Sequence, residues 1–286
     1  MKECYQLYNG IEIPKIGLGT WFITDDDAKH IVKTAVDNGY RHIDTAQAYG
    51  NEAELGQSIK NCGIPREELF ITSKVAAELK TYQEVYDSVL ESMHKLGLEY
   101  LDLMLIHSPE PWEHWRNGNH YFEGNIEAWK ALEDLYKEGK LKAIGVSNFE
   151  KIDIENILEN CQIKPMVNQL LVHISNTPFD LIEYCKKNDI LVEAYSPIAH
   201  GEILNNEKIK NIASKYNVNV SQICIQYTLQ LGLLPLPKTS NPFHMKENIE
   251  LDFVISEEDM EILKNLEEIN GYGDQSVFPV FSMKKD

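Results

Sequence analysis

Eight short apolar runs of β type recur along the chain, each separated from the next by a longer segment of helical period. They are Lys15–Gly19, Tyr40–Asp44, Leu69–Lys74, Leu101–His107, Ala143–Ser147, Pro165–Gln169, Ile190–Ser196 and Leu233–Lys238. The stretch from Leu101 to Ile106 is almost continuously apolar, the signature of a parallel strand covered on both faces. Between the runs, helix starts are visible at Thr24–Asp27 and Thr81–Glu84, which have capping-box spacing, and at Thr177 before Pro178. In the third helical segment Val85, Val89, Met93 and Leu96 form one apolar stripe. Strand and helix alternating eight times, with no internal repeat or linker, predicts an α/β fold in which residues 1–286 make a single (β/α)8 TIM barrel. A doubly wound open sheet is the alternative, but its G-x-G-x-x-G fingerprint is missing after the first strand, where Gly17-Leu18-Gly19-Thr20-Trp21-Phe22 stands.

Three features lie outside a minimal barrel. Tyr5–Ile13 alternates around Asn9-Gly10 and predicts an N-terminal β-hairpin with a two-residue turn. Residues 109–124 follow the fourth strand and carry Trp112, Trp115, Tyr121 and Phe122; residues 271–286 carry Tyr272, Phe278 and Phe281. Loops of that length in a compact domain are commonly lids or pocket walls, so both are expected at the C-terminal rim, lining a substrate pocket.

The chain has 286 residues, near the usual barrel length of about 250. With 43% apolar residues it can build a real core, which excludes disorder. A net charge of −18 argues against nucleic acid or an anionic membrane as partner. The five cysteines are scattered and never in C-x-x-C spacing, as in a reduced cytosolic protein. The N-terminus has no apolar h-region and no run of 18 apolar residues occurs, so a cytoplasmic location is expected. A monomer acting on a small molecule is expected as well.

Several chemistries can be set aside. There is no H-E-x-x-H or Walker A motif, and Gly145-Val146-Ser147-Asn148-Phe149 fails as a nucleophile elbow. His107, His114 and His120 lack ligand spacing, so no metal is expected. What remains is positional, because barrel enzymes place their reacting groups at the C-terminal ends of strands. The second strand ends at Asp44 with Tyr49 just beyond, the third at Lys74 and the fourth at His107. A charged lysine beside a phenol favours the phenolate, so Tyr49 is expected to have a lowered pKa and to donate a proton near neutrality. A neighbouring histidine could orient a carbonyl oxygen. The same four residues could equally be a rim ion pair with a packed tyrosine and a core histidine.

Five segments in register carry a resemblance: Ile43-Asp44-Thr45-Ala46-Gln47-Ala48-Tyr49-Gly50-Asn51-Glu52, Ile71-Thr72-Ser73-Lys74, Leu105-Ile106-His107-Ser108-Pro109, Ile144-Gly145-Val146-Ser147-Asn148-Phe149 and Leu236-Pro237-Lys238-Thr239. Together they resemble the aldo-keto reductase superfamily from the N-terminal hairpin to about Leu266. The resemblance implies a barrel oxidoreductase that reduces small aldehydes, 2-oxoaldehydes or ketones with NADPH. It implies Tyr49 as general acid, Lys74 and Asp44 as the groups that tune it, and His107 as the residue that orients the carbonyl. Trp21 and Trp112 join Tyr49 and His107 around the substrate. For the cofactor it implies Thr20 and Asp44, then Ser147, Asn148 and Gln169 at the nicotinamide carboxamide, with Tyr195 stacked on the ring. Ser196 begins the loop to Leu204 that crosses the pyrophosphate. Glu247 and Asn248 match adenine contacts.

Lys238, Thr239 and Ser240 also read independently as an anion site, a lysine and two hydroxyls before a helix start at Asn241-Pro242. Two departures stand out. Ser108 replaces the tryptophan common after the histidine and is expected to open one pocket wall. His244 replaces the arginine that usually reads the 2′-phosphate, and an imidazole lacks the guanidinium's permanent charge and fork, so NADH is possible beside NADPH. Two other readings stay open at this point: a cofactor-binding regulatory or structural subunit with little turnover, and a non-redox barrel using Lys74 as a Schiff base.

Overall fold

The computed structural model describes residues 3–269 and 271–282. Strands β1 (Cys4–Gln6) and β2 (Glu12–Pro14) form the antiparallel hairpin, with Tyr5 opposite Ile13. The turn has three residues, not two. Leu7 N–H donates to Ile11 O and Gly10 N–H to Leu7 O, both at 2.8 Å, and Gly10 alone in the turn takes a positive φ, +88°. Glycine is suited to that left-handed position. Asn9 instead ties the turn down, its Nδ2 donating to Lys142 O at 3.0 Å.

The rest of the chain runs β3 (Leu18–Gly19), α1 (Asp25–Asp37), β4 (His42–Asp44), α2 (Glu52–Lys60), β5 (Phe70–Val75), α3 (Tyr82–Leu96), β6 (Leu103–Ile106) and α4 (Phe122–Lys137). It continues β7 (Ile144–Ser147), α5 (Lys151–Asn160), β8 (Val167–Leu171), α6 (Phe179–Lys187), β9 (Leu191–Tyr195), α7 (Glu207–Tyr216), α8 (Val220–Gln230), β10 (Leu234–Leu236), α9 (Pro242–Ile249) and α10 (Glu257–Lys264). Strands β3 to β10 pair in parallel in chain order. The two ends of the sheet meet where Gly17 N–H donates to Pro235 O and Gly19 N–H to Pro237 O, each at 3.1 Å, which closes the ring. The fold is a (β/α)8 barrel, and each of the eight apolar runs overlaps one barrel strand. Helix α9 lies against both α8 and α1 and completes the outer layer; α7 and α10 are additions to it.

Helix starts follow the sequence unevenly. The Thr81 hydroxyl accepts from Glu84 N–H as a cap should, whereas Thr24 occupies its cap position without a side-chain bond. Thr177 is not a cap. Pro178 holds that place, and the Thr177 hydroxyl donates to His173 O.

Period-two alternation decides what fills the barrel. Phe70, Leu103, Leu105, Val167, Leu234 and Leu236 pack with Leu7 and Ile13 of the hairpin, so the hairpin plugs the N-terminal end with an apolar floor. Two residues further along the same strands the inward positions turn polar: His42 and Asp44, Thr72 and Lys74, Gln169, Glu193, all buried. The outward residues, such as Ile43, Ile71, Met104, Ile144 and Val192, pack against the helices. Among the described residues no helix is long and apolar enough to cross a membrane.

Glycine at the second position of β7 is a packing requirement. A Cβ on Gly145 would lie 2.6 Å from Val167 O and 2.7 Å from Leu105 Cδ2, one of them backbone of the neighbouring strand. Gly145→Ala should therefore cost about 1–3 kcal/mol, the usual penalty of overpacking. Urea unfolding would show it as a lower midpoint at unchanged slope; an unchanged midpoint would mean that β7 and β8 can move apart without penalty.

Candidate active site

At the C-terminal rim lies a cavity of about 620 Å³. The loops after β3, β4 and β6 bring Thr20, Trp21, Tyr49, His107 and Trp112 to its wall, joined by Asp44 from the end of β4. Ser147, Asn148, Gln169, Tyr195, Ser196 and Lys238 line the same cavity. Lys74 sits behind that wall, fully buried.

The Lys74 ammonium is the centre of the network. Its Nζ donates to Asp44 Oδ1 at 2.6 Å, to Thr45 O at 2.8 Å and to the Tyr49 hydroxyl at 3.2 Å. Burial alone would drive Lys74 toward the neutral amine, but Asp44 and Tyr49 outweigh it and hold its pKa above the ordinary value. Burial pushes Asp44 upward while Lys74 and Gln169 oppose it. With an ammonium at 2.6 Å the pair is a carboxylate and an ammonium.

The expected lowering of Tyr49 is not found. Burial pushes the phenol above its usual value, and Lys74 counteracts only part of that. Desolvation of a phenolate thus exceeds the attraction of one cation that is already shared with Asp44. Tyr49 is protonated at neutral pH. His107 is held well below the usual imidazole pKa by burial and then by Lys74, so it is neutral, and its Nδ1 has no partner among the described residues. The Tyr49 and His107 rings meet edge to face at 5.8 Å.

The next layer is a chain of amides. Gln169 Nε2 donates to Asp44 Oδ2 at 2.8 Å and to Glu193 Oε2 at 2.7 Å. Asn148 Nδ2 donates to His107 O and to Ser147 Oγ, both at 3.0 Å, and Tyr195 OH donates to Asn148 Oδ1 at 2.7 Å. Ser147 Oγ donates to Gln169 O at 2.9 Å, and Thr20 Oγ1 to Asp44 O at 2.9 Å.

The residues that the resemblance assigns to the adenosine end stand apart. Thr239, Ser240, His244, Glu247 and Asn248 do not line the cavity; they continue from Lys238 along the β10–α9 connection and α9. Ser240 and His244 are exposed, Thr239 and Glu247 half-buried, and Asn248 buried beside Tyr40. The helix start is also less open than its sequence suggests. Pro242 has no N–H, Phe243 N–H is taken by Asn241 Oδ1 at 3.0 Å, and Asn241 N–H by Thr239 Oγ1 at 3.1 Å.

Ser108 does not open the wall. It is buried, its hydroxyl accepting from Glu110 N–H at 3.2 Å, and Trp112 stands over His107 at 5.2 Å between rings. Of the other loop aromatics, Trp115 stacks on the Arg116 guanidinium, Tyr121 bonds His114, and Phe122 stacks on His120, so these hold the loop rather than face the cavity. In the tail, Phe278 and Phe281 line the cavity, while Tyr272 is buried and bonds His173 Nε2 at 2.9 Å. Residues 283–286 of the tail lie outside the described residues.

Phe22 on the cavity wall and Glu193 behind it were missed outright, whereas His200, Gln275, Val280 and Arg116 fall in segments assigned to the site without having been singled out. Arg116 Nη2 donates to Asn148 O at 2.9 Å. Its only signal was a basic residue within an aromatic loop. Glu193 had a clearer one: an acidic residue at an inward position of a buried strand.

The model of the Aldo/keto reductase family matches residues 15–268. The chain belongs to the aldo-keto reductase family. It is 42% identical to a glyoxal reductase of Bacillus subtilis over 91% of each chain. It also superposes on MGS-M4, an aldo-keto reductase from a deep-sea metagenome library, with a TM-score of 0.85 and 39% identity over 93% of this chain and 95% of that one. A third aldo-keto reductase, from Bombyx mori and solved in complex with NADP, gives a TM-score of 0.83 and 32% identity over 92% of both chains. The protein is therefore an oxidoreductase of the nicotinamide-dependent, carbonyl-reducing kind.

Glu193 titrates unusually. Burial first, then the charge of Asp44, raises it from an ordinary 4.5 to about 8, while Gln169 and Lys74 oppose the shift. The other titratable group facing it is His42, whose Nε2 lies 3.9 Å from Glu193 Oε1 and which burial and Lys74 lower to about 3. A raised carboxyl pKa means that the folded state holds a proton the unfolded chain has released. The stability tied to that proton is complete below about pH 4.5 and is lost as pH rises to about 8. Wild type should accordingly lose stability relative to Glu193→Gln across that interval and hold a constant difference above it. Denaturant unfolding at a series of pH values reads this, and a difference independent of pH would show that Glu193 is ionised throughout.

Proposed function

We propose that this aldo-keto reductase reduces the carbonyl of small aldehydes, 2-oxoaldehydes or ketones with NADPH, Tyr49 serving as general acid. The observation that carries the reading is the Tyr49 hydroxyl on the cavity wall, protonated and 3.2 Å from a buried ammonium. When bound, the reduced nicotinamide supplies a hydride to the carbonyl carbon. Tyr49 gives its proton to the carbonyl oxygen, and Lys74 stabilises the phenolate left behind. Neutral His107 can donate a hydrogen bond that orients the same oxygen. Asp44 keeps the lysine charged throughout.

The donor set suits a dinucleotide. Ser147, Asn148 and Gln169 would hold the nicotinamide end, Tyr195 would offer a ring to stack on it, and Ser196 would open the segment over the pyrophosphate. Thr20, held to Asp44 O, supports the same end. Lys238 with Thr239 and Ser240 would face phosphate, and Glu247 and Asn248 the adenine. Trp21, Trp112, Phe278 and Phe281 enclose the substrate end, Trp21 lying 5.7 Å from Phe281 and 5.3 Å from Phe278. That wall favours an uncharged substrate body, in keeping with the glyoxal reductase among its relatives. A Schiff-base role for Lys74 is disfavoured, since its three donor sites are all taken inside the protein. A small-molecule substrate and a monomer remain our reading of its partners.

Tyr49→Phe should lower carbonyl reduction by about 10²–10⁴-fold, the usual share of a general acid, and leave NADPH affinity close to wild type. Single-turnover reduction of an aldehyde reads the chemistry directly; more than a tenth of wild-type rate would remove Tyr49 from this role.

For cofactor choice, Lys238, Thr239 and Ser240 should favour NADPH, with a smaller margin over NADH than an arginine at position 244 would give. His244→Arg should tighten NADPH by about 1.5–3 kcal/mol, the range of a charge-assisted hydrogen bond, and leave NADH unchanged. Titrating both cofactors into both proteins is the check, and equal gains for the two would mean that position 244 does not read the phosphate.

A further inference from the structure

Gln169 has a soft terminal torsion, so a single hydrogen bond would not fix its amide plane. Here two bonds do. Both of its Nε2 protons are committed, one to Asp44 Oδ2 at 2.8 Å and one to Glu193 Oε2 at 2.7 Å. Turning the amide over would set Oε1 against the Asp44 carboxylate, which is repulsive, while the bond to Glu193 fixes the plane in which the amide lies. We propose that Glu193 is a positioning residue: acting from behind the cavity wall, it clamps the Gln169 amide so that Oε1 is the atom left to accept from the cofactor's carboxamide N–H.

The surroundings make that atom important. Asn148 spends both amide protons on His107 O and Ser147 Oγ and accepts from Tyr195, and Ser147 donates to Gln169 O. The Gln169 side chain is thus the amide of this layer with an acceptor not already used by the protein. Glu193 has no evident packing reason to be polar. It is fully buried, its Oε1 has no partner among the described residues, and Leu191 on the same inward face is apolar. A leucine at 193 would remove that unsatisfied oxygen but would also leave one Gln169 Nε2 proton without its acceptor, and that second loss is the one the variants below read. The protonated state of Glu193 is consistent with the clamp: a neutral carboxyl accepts through its carbonyl oxygen without setting a second negative charge beside Asp44.

This inference rests on the nicotinamide reading above, and the test separates the two. Dissociation constants are measured by tryptophan quenching for NADP⁺ and for its 3-acetylpyridine analogue, in which a methyl replaces the carboxamide NH₂. Wild type, Glu193→Gln and Glu193→Leu are compared, with Glu193→Ala in place of the leucine variant if that fails to fold. Glu193→Gln keeps a neutral acceptor and should bind NADP⁺ within about twofold of wild type. Glu193→Leu should lose about fivefold for NADP⁺, the worth of one neutral hydrogen bond, and almost nothing for the analogue. The Gln169 side-chain amide resonances of the protein without cofactor should shift and broaden in the leucine variant and not in the glutamine variant. Equal losses for both dinucleotides, or unchanged NADP⁺ binding by a folded leucine or alanine variant, would overturn the clamp. If wild type binds neither dinucleotide, the cofactor reading fails and the clamp fails with it.

Discussion

Burial keeps the groups of the inner layer uncharged, with one exception, the ion pair of Lys74 and Asp44. Lys74 is fully buried inside the barrel, and an ammonium without a partner there would cost several kcal/mol. Asp44 at 2.6 Å removes most of that cost, and the resulting pair is neutral overall. Burial and then the charge of Asp44 disfavour a second carboxylate beside the pair, so Glu193 keeps its proton up to about pH 8. A second cation would break it too, and Lys74 helps hold both His42 and His107 neutral. The hydroxyl of Tyr49 touches the ammonium and lines the cavity as Asp44 does, but unlike that carboxylate it carries a proton to give. A proton can leave there at least cost, because the charge it leaves behind meets Lys74.

The barrel makes such an arrangement affordable in space. Strands this short offer two or three inward positions each, and the apolar ones lie toward the hairpin while the polar ones lie toward the rim. The hairpin closes the floor with Leu7 and Ile13, which denies water a route from below. Small residues then clear the way for large ones. A Cβ on Gly17 would lie 2.7 Å from His42 Nδ1, so the histidine occupies space that a side chain on β3's approach would otherwise fill.

The strands and the four rim residues were legible because each is a local pattern. Apolar runs with period two or no period announce strands, and a strand's last residue announces the rim. Features that depend on packing across the barrel were harder to read. The Tyr49 pKa could not be signed from the neighbouring lysine alone, since the opposing desolvation depends on how deeply the loop after β4 is buried. Ser108 read as a missing wall, yet the wall is supplied four residues later by Trp112, which no strand register places. The two-residue turn at Asn9-Gly10 failed for a similar reason. Asn9 is recruited by Lys142 O, a partner far away in the chain, and the turn closes one residue wider. At the start of α9, side chains just ahead of the helix satisfy N–H groups that a linear reading leaves free.

The aromatic wall of the cavity follows a different logic from the buried ionic layer. Trp21, Trp112 and Phe278 come from three separate segments outside the strands and meet one another through Phe278, which lies 5.3 Å from Trp21 and 5.4 Å from Trp112. Such contacts tolerate exchange of one aromatic for another without disturbing Lys74 or Asp44. The loop of residues 109–124 is the exception, because it is anchored in both worlds. Trp112 covers His107, and four residues on, Arg116 grips the Asn148 carbonyl, whose residue sits in the left-handed region at φ +62°. Asparagine tolerates that region better than most residues. The carbonyl it turns outward is the one that Arg116 holds, and Glu110 and Asp153, both buried, lie against the same guanidinium. A substitution that shifts this loop therefore moves the Asn148 amide together with the aromatic wall, and the tail reaches the same amide by a longer route, Phe281 packing on Tyr195, whose hydroxyl bonds Asn148.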